Sequence, residues 1–402
     1  MTGMGIVSSL GSDLEQVRAS LYQGRSGLLY MPEMEAIGMK CSVFAPVKGF
    51  DPSVFSNKAR STMSQVAQYA VWAAENALEA SGLKKEDVQN ERCATTIGGS
   101  FGGINEVFKT ERFVKTKRPT RAGITGLVKG MNSTTSGNTA SYFKIRGQAF
   151  SLCSSFASGP DSIGHGYELI KHGFHDLVIC GSAEEEVWKQ VGAYFDNAGA
   201  LARGSNHSPE EACRPYDRNR RGFVMSAGAG ILILESLKRA ESRGAEAAAE
   251  IVGYGAANDG YDIFRTSGEG LKSAMRQALA SARERGGDGI DYINGHATGT
   301  TLGDRVEVAA IREVFPGYEP LLSSTKGLAG HGMGATGAQE AVYTLLMLSH
   351  GFVSPTRNLV DIDEKCLGVP HVQNLLETDL SSAMTVSLGL GGTASCLIFK
   401  KL

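Results

Sequence analysis

Gly147-Gln-Ala-Phe-Ser-Leu-Cys-Ser-Ser-Phe156-Ala-Ser-Gly159 is the stretch on which the rest of the chain hangs. It reads as a buried strand over 149–153, a turn of small residues and then a helix. A helix opening at such a turn presents free backbone N–H groups, which lower a thiol's pKa and hold a developing oxyanion. The side chain placed there, Phe156, can use neither property. Two histidines stand downstream in glycine- and threonine-rich turns, His296 in Asn294-Gly-His-Ala-Thr-Gly-Thr300 and His331 in Lys326-Gly-Leu-Ala-Gly-His331-Gly-Met-Gly. The pattern keeps a nucleophile's partners and lacks the nucleophile.

The same strand–turn–helix returns later in the chain. Residues 150–173 lead into Lys171-His-Gly-Phe174, and residues 321–351 lead into Ser349-His-Gly-Phe352. Met1-Thr-Gly-Met-Gly-Ile-Val is echoed by Glu250-Ile-Val-Gly-Tyr-Gly-Ala, each read as a short strand with a GxG turn. Amphipathic helices are predicted over 63–81 and 268–285, the first from Val66, Tyr69, Ala70, Ala73 and Ala77 at helical spacing. Each leads to a strand with a polar, glycine-rich exit, at 94–100 and 291–296, and each half closes on β-rich runs, at 222–235 and 384–400. Strands alternating with helices predict an α/β fold with mostly parallel sheets, binding ligands at the carboxyl ends of its strands. The halves divide at 1–248 and 249–402. The segment 105–138 fits neither and reads as an insertion; its Lys109, Arg112, Lys115, Lys117, Arg118 and Arg121 form a solvated surface or a docking face for an acidic carrier protein.

Composition narrows the class. With 40 basic against 42 acidic residues the net charge is −2, and no basic field points to nucleic acid. The seven cysteines form no CxxC pair and several lie in apolar runs, as in reduced, buried thiols of a cytoplasmic protein. Cys153, three residues before Phe156, is expected to face the core by strand alternation. The first residues lack the charged and apolar regions of a signal peptide, and no apolar run is long enough to span a membrane. Six further histidines (His165, His172, His175, His207, His350, His371) have neither motif nor metal-ligand spacing, so neither metal nor cofactor is expected.

Together the segments resemble the β-ketoacyl-(acyl carrier protein) synthases, condensing enzymes of the thiolase fold, and the type I synthases of fatty-acid synthesis in particular. The likeness runs nearly end to end: Thr2-Gly-Met-Gly-Ile-Val-Ser, Arg214-Pro-Tyr-Asp-Arg-Asn-Arg-Arg-Gly-Phe-Val224, the two histidine turns, Gly303-Asp304, Thr325-Lys326 and Gly389-Leu-Gly-Gly-Thr393. The resemblance implies two similar βαβαβ halves stacked as α/β/α/β/α layers. It implies a thioester-forming cysteine at position 156, His296 and His331 assisting decarboxylation of a malonyl group, and Lys326 supporting them. Four departures surround this one pocket. Phe156 replaces the cysteine, Leu388 and Leu390 replace two phenylalanines of the gating run, Ala297 replaces a glycine, and Pro160 enters the helix four residues after Phe156.

These departures make the chain similar to the chain-length factors of type II polyketide and aryl polyene pathways. The resemblance then implies a heterodimer with an active ketosynthase, and an acyl carrier protein bearing phosphopantetheine-linked acyl or malonyl chains. Two enzyme readings stand beside it: a malonyl-thioester decarboxylase using the histidine pair, and a Cys-to-Phe variant of an active homodimeric synthase. A scaffold without a pathway role is the plainest alternative.

Overall fold

The computed structural model describes residues 1–286, 289–317 and 319–402. Ten strands form two five-stranded sheets: β1 Gly3–Val7, β2 Cys93–Gly98, β3 Ala149–Phe150, β4 Leu177–Glu184 and β5 Gly228–Glu235 in one, β6 Ala249–Asn258, β7 Tyr292–Asn294, β8 Leu321–Ser323, β9 Ser382–Leu388 and β10 Thr393–Lys401 in the other. The first sheet runs β1-β5-β4-β2-β3, and the second runs β6-β10-β9-β7-β8. Numbered from its own first strand, each sheet therefore has the order 1-5-4-2-3.

The helices used below are α1 Leu14–Gln23, α2 Gln65–Ala80, α3 Ile104–Lys115, α4 Gly123–Gly130, α5 Thr134–Phe143, α6 Ser158–Lys171, α7 Glu269–Arg283, α8 Thr301–Val314 and α9 Thr336–His350. α6 and α9 pack against each other and lie between the sheets, while α2 and α7 cover the outer faces. α9 is buried all round from Thr336 to Leu348, as a helix in a central layer must be. The apolar interior follows these layers, with one cluster between the sheets and one under each outer helical layer.

Three sequence expectations change here. The sheets are mixed, not mostly parallel: each has two parallel and two antiparallel neighbouring pairs. Parallel neighbours need a long crossover, and only a short glycine turn separates β9 from β10, so the closing strand comes back antiparallel. The GxG sequences are not turns but lie within β1 and β6. A Cβ on Gly5 would sit 2.0 Å from the Ala73 carbonyl oxygen of α2, and one on Gly255 would sit 2.1 Å from that of Ala274 in α7. The bare strands let the helix backbones lie directly on them.

The expected buried strand over 149–153 is the third change. β3 has two residues, both exposed, at the edge of its sheet, and its ladder with β2 stops at Phe150. Cys153 therefore lies beyond any strand alternation and is exposed, while the other six cysteines are buried. The segment 105–138 folds mainly as α3 and α4, neither of which has a buried residue. Its six cations are exposed, and so are Val107, Val114, Ile124 and Leu127. Among the described residues no helix is long and apolar enough to cross a membrane.

Candidate active site

Three turns meet where the halves join. Phe156 lies between β3 and α6, just after Ser155, whose φ of 56° is the left-handed conformation that non-glycine residues rarely adopt. His296 follows β7. His331 stands between a short helical turn, Lys326–Ala329, and α9, and its backbone donates to Val224 O at 2.7 Å. The turns bring the rings of Phe156, His296 and His331 together. The centroids of Phe156 and His331 are 4.8 Å apart, and those of His296 and His331 are 5.4 Å apart. Phe223 and Phe195 complete an aromatic wall, with Phe223 5.5 Å from His331 and Phe195 6.4 Å from Phe156. All five line a cleft of about 260 Å³.

Both imidazoles are held neutral. Burial, followed by the nearby Lys326 ammonium, pushes His296 and His331 well below the ordinary histidine range. Nδ1 of His296 and both ring nitrogens of His331 are buried without a hydrogen-bond partner. Lys326 does not line the cleft; it is almost wholly buried behind the histidines and donates to Glu340 Oε1. Its charge therefore reaches the imidazoles through space, not by contact with a ligand.

α8 fixes the His296 turn through two acids in its first half. Glu307 accepts the backbone N–H groups of His296 and Ala297, the latter at 2.9 Å, and the Tyr216 hydroxyl at 2.8 Å. Asp304 accepts from the backbones of Thr298 and Gly299 at 3.2 Å and of Tyr216 at 2.9 Å. Glu307 was not singled out from the sequence; its spacing of three from Asp304 on one helix face was the available signal.

Leu388 and Leu390 also line the cleft, Leu388 buried and Leu390 exposed. Their turn is latched to that of Phe156, because the Leu390 N–H donates to Ser155 Oγ at 3.1 Å and Thr393 Oγ1 donates to Ser154 O at 3.1 Å. Pro160 does not disturb α6 as its position after Phe156 suggests. The helix begins at Ser158, so Pro160 lies in the first turn, where an N–H has no intrahelical acceptor. Its ring packs on Gly337 of α9, where a Cβ would come within 2.3 Å of Pro160 Cδ.

A neutral imidazole N–H facing a cleft can stabilise charge developing on a carbonyl oxygen. The helix end beside it holds a benzyl group, which can neither attack a thioester nor transfer a proton. The comparisons agree with this architecture. Residues 1–240 match the family described as "Beta-ketoacyl synthase, N-terminal domain", and residues 248–360 match "Beta-ketoacyl synthase, C-terminal domain". The chain is 40% identical to 3-oxoacyl-[acyl-carrier-protein] synthase 1 of Escherichia coli (strain K12), covering 100% of this chain and 98% of that one. Among solved structures it is similar to a β-ketoacyl synthase from Burkholderia phymatum STM815, at 31% identity and a TM-score of 0.93. It is similar as well to the ishigamide ketosynthase/chain length factor, at 30% identity and a TM-score of 0.92. Each covers 100% of this chain and 98% of the other. The two sheets and their shared order are those of the thiolase-like ketosynthase fold.

Proposed function

The chain belongs to the β-ketoacyl synthase family, and from that premise we propose that it is a non-catalytic member acting as a chain-length factor. In this reading it pairs with an active, cysteine-containing ketosynthase and shapes chain elongation on an acyl carrier protein. One observation carries the proposal: Phe156 fills the helix end where the family resemblance calls for the nucleophile, packed edge-on against His331. A chain without that nucleophile forms no acyl-enzyme, yet keeps the fold and the surfaces through which it meets partners. The exposed edge strand β3 and the exposed apolar residues of α3 and α4 support the partner part of the reading, with the stretch 132–141 beside them. Co-expression with a cysteine-containing ketosynthase tests it. The expected result is a one-to-one complex whose product length changes when Phe156 or Leu390 is replaced; a chain that remains a homodimer beside that ketosynthase overturns it.

A second reading is favoured by the two neutral, unpartnered imidazoles on the cleft, which suit loss of CO₂ from a malonyl thioester through an enolate that is then protonated, without any covalent enzyme intermediate. Release of CO₂ from malonyl carrier protein by the purified chain, abolished in His331→Ala, would favour it over the first.

A further inference from the structure

Two residues in the left-handed conformation flank the site: Ser155 at φ 56°, just before Phe156, and Met333 at φ 53°, two after His331. They occupy matching places in the two halves, one leading into α6 and the other into α9. Such backbone persists only where its surroundings over-determine it. One side chain links both turns, the Met333 turn directly and the Ser155 turn through Ser100. Glu184, the last residue of β4, is fully buried, and among the described residues it forms no ion pair. Its Oε2 accepts the N–H groups of Ser100 at 2.8 Å and Gly334 at 3.2 Å, and its Oε1 accepts that of Phe101 at 3.3 Å. Ser100 Oγ in turn donates to the Ser155 carbonyl at 2.9 Å. No slack separates the two loops, since a Cβ on Gly334 would lie 2.3 Å from Ser100 N.

We infer that Glu184 is a positioning residue: its carboxyl group, directly on the turn after His331 and through Ser100 on the turn bearing Phe156, ties the two together and so sets how the two rings meet. This goes beyond the proposed function and holds whichever reading of the cleft is right. The two acids that follow it serve as natural controls. Glu185 accepts the Asn105 N–H at 2.8 Å and Glu186 accepts that of Val47 at 3.0 Å, neither in the ring cluster. A glutamine at position 184 would offer one carbonyl oxygen and turn an amide N–H₂ toward the remaining backbone donors.

The test uses the full chain with isotope-labelled histidine and phenylalanine, reading the nuclear Overhauser cross-peak between the His331 and Phe156 rings. In Glu184→Gln that cross-peak is expected to be lost and the His331 signals to shift, while those of His172 and His350 stay in place. In Glu185→Gln the cross-peak is expected to persist, even if the melting temperature falls. A folded Glu184→Gln protein with the cross-peak and His331 signals unchanged overturns the inference, because a merely structural carboxyl group lowers melting without moving the rings. If Glu184→Gln does not fold, Ser100→Ala decides, since it removes only the link to the Ser155 carbonyl. Shifted Phe156 ring signals and a weakened cross-peak uphold the inference there, and unchanged ones overturn it.

Discussion

Phe156 meets His331 edge to face, with 83° between the ring planes and 4.8 Å between their centroids. This is a preferred aromatic geometry, in which the positive edge of one ring points at the electron-rich face of the other. It occurs at the start of α6, where the Ala157 and Ser158 N–H groups already donate to Ser154 O at 3.1 Å and Ser155 O at 3.3 Å and Pro160 has no N–H. The site thus holds a packing contact at a helix start whose first N–H groups are turned to their own backbone.

Phe156→Ala is expected to destabilise the protein by about 3 kcal/mol, the low end for removing a buried phenylalanine, because one side of the ring borders the cleft. Urea unfolding measures it. A loss under about 1 kcal/mol would mean that the ring is not packed as described.

Native-state alkylation is expected to modify Cys153 and spare the six buried cysteines. Cys153→Ser should abolish that labelling. Incubation with acyl carrier protein bearing an acyl thioester should leave every cysteine unacylated, as read by intact-mass spectrometry. The exposed Cys153 lies outside the ring cluster, and burial raises the thiols of Cys93 and Cys213 to about 12.

Phe156→Cys is expected to condense acyl and malonyl groups at well under a tenth of the rate of an ordinary ketosynthase, on the ground that Leu388 and Leu390 still form the cleft wall. Steady-state assay decides. Full activity from this one substitution would favour the reading of the chain as a single-site variant of an active synthase.

Stability against pH should carry the signature of Glu184. Burial, aided by the neighbouring Glu185, raises its carboxyl from 4.5 to about 8 against the pull of three backbone N–H groups. A raised acid binds its proton more tightly when folded, so its contribution is complete below about pH 4.5 and is lost as pH climbs through about 8. The melting-temperature difference between the native chain and Glu184→Gln should therefore shift against the native chain across that window. The buried histidines slope the other way below pH 6.5 in both proteins and cancel in the difference. A difference that stays constant from pH 5 to 8 would remove Glu184 as the source.

Much of the layout was legible because periodicity and glycine-rich exits mark where strands hand over to helices. The matched stretches at 150–173 and 321–351 become the two strand–turn–helix units that hold Phe156 and His331. What sequence could not convey was direction and depth. Lys326 looks like a site residue beside His331, but its side chain turns away to Glu340. Cys153 looks buried until β3 proves to be an edge strand of two residues. Glu184 is the first of three consecutive acids, and nothing in that run singles it out; only the meeting of two distant loops gives it a role.

The glycines of β1 and β6 bear on how this chain can change over time. Position 156 holds a ring with room left in the cleft beside it, so a change of side chain there is taken up by the cleft and leaves the layers in place. A single methyl at Gly5 or Gly255 would drive a helix backbone off its sheet and spread the layers apart. These two positions, with no side chain at all, therefore tolerate substitution less than the cleft-lining position 156.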